Sequence, residues 1–222
     1  MNRPDGTTYY AGKRAYQYNT TWRKFSEKTL TAAFSAINRE KLQKIAVSQQ
    51  RPLRMLDVAC GSGLLLAQLA RSFPAAELHG MDASNDMLAQ TRQLLQGVAN
   101  VHLIQSTVGV GETAGLPYEE AFFDLITCTN MLHYLREPVV MLQRLQHLLT
   151  ANGQIVLDDF SRRRFPWPLF EWLIRKIDTY HVRAYTLSEA QSFCAQAKLH
   201  VVSARSFPVD ILWHGWVVRA EK

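Results

Sequence analysis

Residues 56–66, LDVACGSGLLL, place one carboxylate, Asp57, and two glycines, Gly61 and Gly63, between two apolar runs. Glycine adopts positive φ at little steric cost, so this pair permits a sharp turn from a buried strand into a helix. Asp57 is the more informative residue. A carboxylate beside such a turn repels a pyrophosphate and suits a ligand with a positive amino group and a sulfonium. A second carboxylate, Asp82 in GMDAS, ends another apolar run about 20 positions later, where an acidic side chain accepts hydrogen bonds from ribose hydroxyls. The two acids together indicate an adenosine-containing ligand that carries positive charge. The dinucleotide fingerprint G-x-G-x-x-G needs a small third residue where Leu66 stands here, which argues against a nicotinamide-dependent dehydrogenase.

These residues must be positioned by alternating strands and helices. RMLDVA, AELHGMD, VHLIQS, FFDLITCT and QIVLDDF read as short buried strands. Between them, GLLLAQLARSF has Leu65, Leu69 and Phe73 on one helical face, and SNDMLAQTRQLLQG has Ser84 as N-cap and Asp86 in its first turn. PVVMLQRLQHLLTANG opens at Pro138 and is expected to close at Gly153. In TLSEAQSFCAQAKL, Thr186 and Glu189 have capping-box spacing, and HVVSARSF and DILWHGWVVRAEK read as two closing antiparallel strands. Leu30, Phe34, Ile37 and Ile45 recur at helical spacing, which predicts one amphipathic helix over about 25–49. The expected fold is therefore α/β: a doubly wound, mostly parallel seven-stranded sheet. Its ligand belongs at the carboxyl ends of the strands, near the topological switch point. The expected organisation is a single domain over 1–222. It comprises an N-terminal helical cap (1–50), a cofactor-binding core (51–160), a lid insertion after the fifth strand (161–185) and a closing helix and hairpin (186–222).

LDVACGSG resembles the first motif of the class I S-adenosylmethionine-dependent methyltransferases. LPYEEAFFDLITCTNMLHYLREP is similar to that family's segment around the fourth strand, and LLTANGQIVLDDF to its entry into the fifth. The resemblance implies S-adenosylmethionine as cofactor, with Asp57 orienting the methionine end. The backbone of Ala59, Gly61 and Gly63 would lie against the ligand, Asp82 would hold the ribose, and Ala83, Met87 and Thr129 would line the site. Ala59 departs from the glycine of many relatives. The adenine edge falls to Glu112, or to Thr107 if TVGVG follows the contact. Many relatives carry a histidine where His133 stands. His181 lies in the segment that in this family covers the acceptor. The N-terminal aromatics resemble those of quinone-biosynthesis-type methyltransferases, which implies a tyrosine, Tyr18 or Tyr16, reaching the cofactor. His181, His133 and Tyr18 are thus the catalytic candidates. The implied reaction is in-line displacement onto a small aromatic or apolar acceptor, where positioning alone supplies up to about 7–11 kcal/mol.

Asp158 and Asp159 resemble the metal site of catechol-type relatives, but Thr129 and Asn130 stand where those relatives need a further carboxylate, so no metal is expected. The net charge of +6 includes one dense basic run, Arg162–Arg164, and reads as a solvated face in preference to a nucleic-acid surface. No Asn/Asp-Pro-Pro-Tyr motif follows the fourth strand. The alternatives are an RNA methyltransferase and a non-catalytic cofactor-binding protein. Three scattered cysteines suit a reducing compartment, and the absence of an apolar leader or span-length run makes a cytoplasmic protein, off the membrane, the expectation.

Overall fold

A computed structural model describes residues 10–106, 116–162, 167–211 and 213–222. Three helices lead the chain: α1 (Lys13–Thr21), α2 (Arg23–Ala36) and α3 (Arg39–Gln49). The alternating core follows as β1 (Arg54–Val58), α4 (Leu64–Ser72), β2 (Glu77–Asp82), α5 (Asn85–Leu94), β3 (Val101–Gln105) and β4 (Phe123–Thr129). After a 3-10 turn at Leu132–Tyr134 come α6 (Pro138–Leu148), β5 (Leu149–Phe160), α7 (Trp167–Ile177), α8 (Leu187–Gln196), β6 (His200–Pro208) and β7 (His214–Glu221).

The seven strands form one sheet in the order β3-β2-β1-β4-β5-β7-β6, and β7 runs antiparallel to both of its neighbours. From β1 the chain winds outward to β3 and then returns to β4 on the other side of β1. That reversal leaves a crevice at the carboxyl ends of β1 and β4. Every residue of β4 is buried, as expected for a central parallel strand covered on both faces. One face packs on α6 and α8 through Leu142, Leu145, Ala190 and Trp216; the other packs on α2, α3 and α4 through Ala33, Leu42, Leu66 and Leu69.

Two features differ from the sequence reading. The helix expected over 25–49 breaks at Ile37–Asn38. The Asn38 side chain caps α3 by accepting from Lys41 N at 3.0 Å, while its backbone exchanges two hydrogen bonds with the buried amide of Gln154. Capping there satisfies donors that an unbroken helix would satisfy internally. The helix expected to close at Gly153 instead ends at Leu148, and Gly153 lies within β5. A β-carbon on Gly153 would meet the Phe123 carbonyl oxygen at 3.0 Å, so the glycine answers to strand packing.

Candidate cofactor and acceptor site

The strand ends build the site. β1 finishes at Val58, and the turn beyond it holds Ala59 (φ +55°), Gly61 (φ +55°) and Gly63 (φ +81°) before α4 begins. A β-carbon on Gly63 would approach Thr91 Cγ2 to 2.6 Å; Thr91 in turn donates to the Gly61 carbonyl at 2.8 Å. Helix α5 thus clamps the turn from outside. Ala59 is a non-glycine residue in the left-handed region, a strain of about 1–2 kcal/mol that explains why glycine is the easier choice there. Asn130, just past β4, is left-handed too (φ +53°), so both strands at the switch point end in an unusual backbone conformation.

Leu66 proves compatible with close packing. Its Cδ1 would lie 2.6 Å from a β-carbon on Gly80, so the glycine in β2 makes the room that a small residue on the helix would otherwise provide.

A cleft opens at these ends, lined by Asp57, Ala59, Cys60, Gly61, Ser62, Leu64, Leu65, Thr129 and Asn130 from the core and by Tyr18, Ser26 and Leu30 from the N-terminal helices. Asp57 is buried, and Thr127 Oγ1 donates to its Oδ1 at 2.6 Å. Burial pushes its carboxyl up to about 7, against the lowering effect of that bond. Asp82 accepts from Gly61 N (2.8 Å) on Oδ2 and from Ser84 N (2.9 Å) on Oδ1; burial raises its affinity for a proton and these backbone bonds oppose the rise. The same carboxylate therefore also braces the glycine turn and the entry to α5. Ser84 caps α5 by accepting from Met87 N, and the Ala83 carbonyl accepts from Gln105 Nε2. Glu112 and Thr107 lie outside the described residues.

The N-terminal segment is tied across this end of the sheet. Ser62 Oγ donates to Asn19 Oδ1 at 2.7 Å, Gln90 Nε2 to the Ala15 carbonyl at 3.0 Å, and Gly12 N to Asp86 Oδ2 at 2.6 Å. Of the two tyrosines, Tyr16 is 64% exposed, whereas Tyr18 lines the cleft.

Beside the cleft is a second constellation. His133, in the turn after β4, is held twice by Asp159 at the end of β5. Its backbone N donates to Oδ2 at 2.9 Å, and its Nδ1 lies 2.8 Å from Oδ1. The His181 ring is 5.8 Å from that of His133, centre to centre, and stacks on Phe160. His181 Nε2 lies 3.2 Å from Glu171 of α7, while its buried Nδ1 has no hydrogen-bond partner among the described residues. Burial, with His133 nearby, lowers the affinity of His181 for a proton. Phe160, Phe25, Trp22 and Trp213 continue this patch as an aromatic wall with edge-to-face contacts. Asp158 points to the opposite face of β5, toward α2; both of its oxygens are buried and unpartnered among the described residues. Burial and then Asp159 hold it well above the usual carboxylate range. Asn130 Oδ1 is likewise buried without a partner among the described residues, and both Asn130 and Ser26 line the cleft.

The sequence reading missed Ser26, Leu30, Ser62 and Asn130. The first two are one helical turn apart on α2, a spacing visible only once α2 is known to cross the strand ends. The basic run gives no free patch at its first residue: Arg162 donates to Glu189 at 2.8 Å and to the Ala184 carbonyl at 3.1 Å. Arg163 and Arg164 lie outside the described residues.

The strand order with its antiparallel β7, the glycine turn after β1 and the carboxylate at the end of β2 agree with the class I S-adenosylmethionine-dependent methyltransferase fold. Residues 55–153 match a family model described as a methyltransferase domain. Among relatives, the chain is 28% identical over 170 residues to the uncharacterized methyltransferase YcgJ of Bacillus subtilis, covering 75% of this chain and 64% of that one. It is 30% identical over 114 residues to a ubiquinone biosynthesis O-methyltransferase of Serratia proteamaculans, covering 51% of this chain and 45% of the relative. It thus spans about half to two thirds of the length of these curated relatives. Among solved structures, magnesium protoporphyrin IX methyltransferase from Synechocystis, with bound S-adenosylhomocysteine, superposes with a TM-score of 0.70 at 12% identity, covering 97% of each chain. S-adenosylmethionine is the cofactor of the family. Among the described residues no helix is long and apolar enough to cross a membrane.

Proposed function

We propose that this chain transfers a methyl group from S-adenosylmethionine to a small, planar or apolar acceptor bound against the Phe25–Phe160–Trp213 wall. The observation that carries this reading is the adjacency of two unlike environments. A cleft floored by Asp57 and the glycine turn meets an aromatic wall beside His133 and His181. In the cofactor half, Asp57 faces the ammonium and sulfonium end, and Asp82 takes the ribose hydroxyls with lone pairs left over from Gly61 and Ser84. Ala83 and Met87 flank the adenine, with Glu112 in preference to Thr107 at its edge. Tyr18 and Thr129 close the cleft near the methyl donor. The ubiquinone-biosynthesis relatives, by their names, agree with a small acceptor.

Much of the catalysis is positional. The acceptor's lone pair must lie in line behind the methyl carbon, the methyl–sulfur bond breaks as the new bond forms, and S-adenosylhomocysteine leaves neutral at sulfur. The aromatic wall excludes water from that line. An acceptor that bears a proton must also lose it. His133 is suited to take it, because the Asp159 carboxylate holds its ring through Nδ1. His181, with Nδ1 unpartnered among the described residues, is suited to hydrogen-bond the acceptor.

The test is S-adenosylhomocysteine formation with a panel of phenols and quinols, repeated with His133→Ala and His181→Ala. Loss of a general base lowers turnover by about 10²–10⁴-fold and removes the acid limb of the pH–rate profile. Loss of an acceptor contact raises KM with turnover less affected. The panel failing while charged polymers such as RNA are methylated would overturn the small-acceptor reading.

A further inference from the structure

At the other end of β2, away from the cleft, Glu77, His79 and His102 bring three ligand-type atoms within 4.8 Å of one another. Glu77 opens β2 and Asp82 closes it, which separates the two places by about 16 Å of strand. The grouping follows from sheet geometry. Glu77 and His79 are two apart on one strand and share a face, and His79 is the register partner of His102 on the parallel neighbour β3. The two imidazoles stack with ring centres 4.7 Å apart and planes 22° from parallel, so both direct Nε2 toward the same carboxylate oxygen. Glu77 Oε1 lies 3.1 Å from His79 Nε2 and 3.6 Å from His102 Nε2.

We infer that Glu77, His79 and His102 form a binding site for a divalent transition-metal ion of the zinc type. Zinc takes imidazole nitrogen and carboxylate oxygen at about 2.0–2.2 Å in a tetrahedron, which puts neighbouring ligand atoms about 3.3–3.5 Å apart. The two Glu77–histidine separations bracket that edge, and the two imidazole nitrogens, which lie within 4.8 Å of each other, would draw closer by up to about 1.3–1.5 Å around an ion. The surrounding groups match what such a site needs. His79 Nδ1 lies 3.2 Å from the Tyr118 hydroxyl; with Nδ1–H donating there, Nε2 keeps its lone pair for the ion. Arg54 Nε is 3.4 Å from Glu77 Oε2, and its guanidinium rests on Phe122, an arrangement that leaves Oε1 facing the imidazoles. His79 is buried and His102 is half exposed, so an ion enters from the His102 side and keeps water as its fourth ligand. Bound there, it fastens edge strand β3 to β2 and, through Tyr118, to the segment that leads into β4. The site is structural and does not touch the cleft.

The test is calorimetric titration of the full chain with Zn²⁺, supported by absorption of the Co²⁺ form, whose visible band reports tetrahedral nitrogen and oxygen ligation. One saturable equivalent is expected, with a thermal midpoint that rises with Zn²⁺ and an unchanged affinity for S-adenosylhomocysteine. His102→Ala, at an exposed position, should abolish the midpoint rise and weaken binding at least tenfold. Tyr118→Phe should weaken it about 10–100-fold as the loss of a supporting partner. Absence of saturable binding in the wild type would overturn the inference, and so would equal affinity in His102→Ala, which would place the ion elsewhere.

Discussion

Replacing Asp82 by alanine should damage two things that can be measured separately. The carboxylate accepts from Gly61 N on one oxygen and from Ser84 N on the other, and in the proposed complex also from the two ribose hydroxyls. Charge-assisted bonds of this kind contribute about 1.5–3 kcal/mol each before water compensates. Loss of the ribose pair should therefore weaken S-adenosylhomocysteine by at least about tenfold, the equivalent of about 1.4 kcal/mol. The structural loss is independent of ligand. Two backbone donors left without partners cost about 1–3 kcal/mol each, and because Asp82 is only partly buried the lower end applies, about 2 kcal/mol in total. At about 2–4 °C per kcal/mol for a chain of this size, the cofactor-free protein should melt about 4–8 °C lower. Asp82→Asn keeps the shape and one acceptor oxygen but turns an N–H₂ toward one donor, so its midpoint should fall between wild type and alanine. Calorimetric titration reads the first effect and scanning calorimetry of the free protein the second. Unchanged affinity in Asp82→Ala would refute the ribose assignment. An unchanged midpoint would refute the claim that this carboxylate braces the turn.

Asp57 gives a pH signature. Its carboxyl keeps a proton up to about 7 when folded, against about 3.9 in an unfolded chain, so the stability it contributes is complete below the lower value and is lost as pH rises through the upper one. The cationic end of S-adenosylmethionine favours the ionised carboxylate, so binding at pH 6 should release a proton, detectable as a buffer-dependent binding enthalpy, and affinity should rise toward pH 8. Buffer-independent enthalpy would place the cationic end elsewhere. Ala59→Gly should relieve about 1–2 kcal/mol of left-handed strain and give back about 0.5–1 in chain entropy, for a midpoint equal to or slightly above wild type; a clear fall would show that the methyl group packs usefully. Because Arg162 is engaged by Glu189, no saturable RNA binding is expected at physiological salt. Tight binding with a log–log salt slope of about −0.7 per phosphate contact would revive the nucleic-acid alternative.

Most of the fold was legible in the sequence because its signals are local. Ser84, Pro138 and the Thr186–Glu189 capping box sit at helix starts as expected, and the buried runs of β1, β2 and β4 could only be central strands. The failures occur where a distant residue decides. The break at Ile37–Asn38 depends on Gln154, which lies more than a hundred positions away, and the end of α6 depends on how Gly153 packs against Phe123. Helix α1 gave no periodic signal because Ala15 is its single buried residue; it is held by Asn19 and by hydrogen bonds to its backbone.

The two halves of the proposed site differ in legibility for the same reason. The cofactor half is a backbone device. Its glycines, its left-handed Ala59 and its two strand-end acids act through local conformation, which spacing along the chain records. The acceptor half is assembled from side chains of α2, β4, β5, α7 and β7's approach, whose only common property is to meet at one rim of the sheet. Nothing in the local sequence ties Phe25 to Trp213 or His133 to Asp159. What marks that half in three dimensions is unmet hydrogen bonding. Asp158 and His181 Nδ1 are buried without partners among the described residues, although interiors rarely tolerate such groups. Asp158 is the more costly of them if ionised, and burial raises its affinity for a proton. In the proposed complex, an acceptor binding here would bring polar atoms as well as an apolar face. That requirement favours a hydroxylated ring over a plain hydrocarbon, and it makes the phenols and quinols the right first panel.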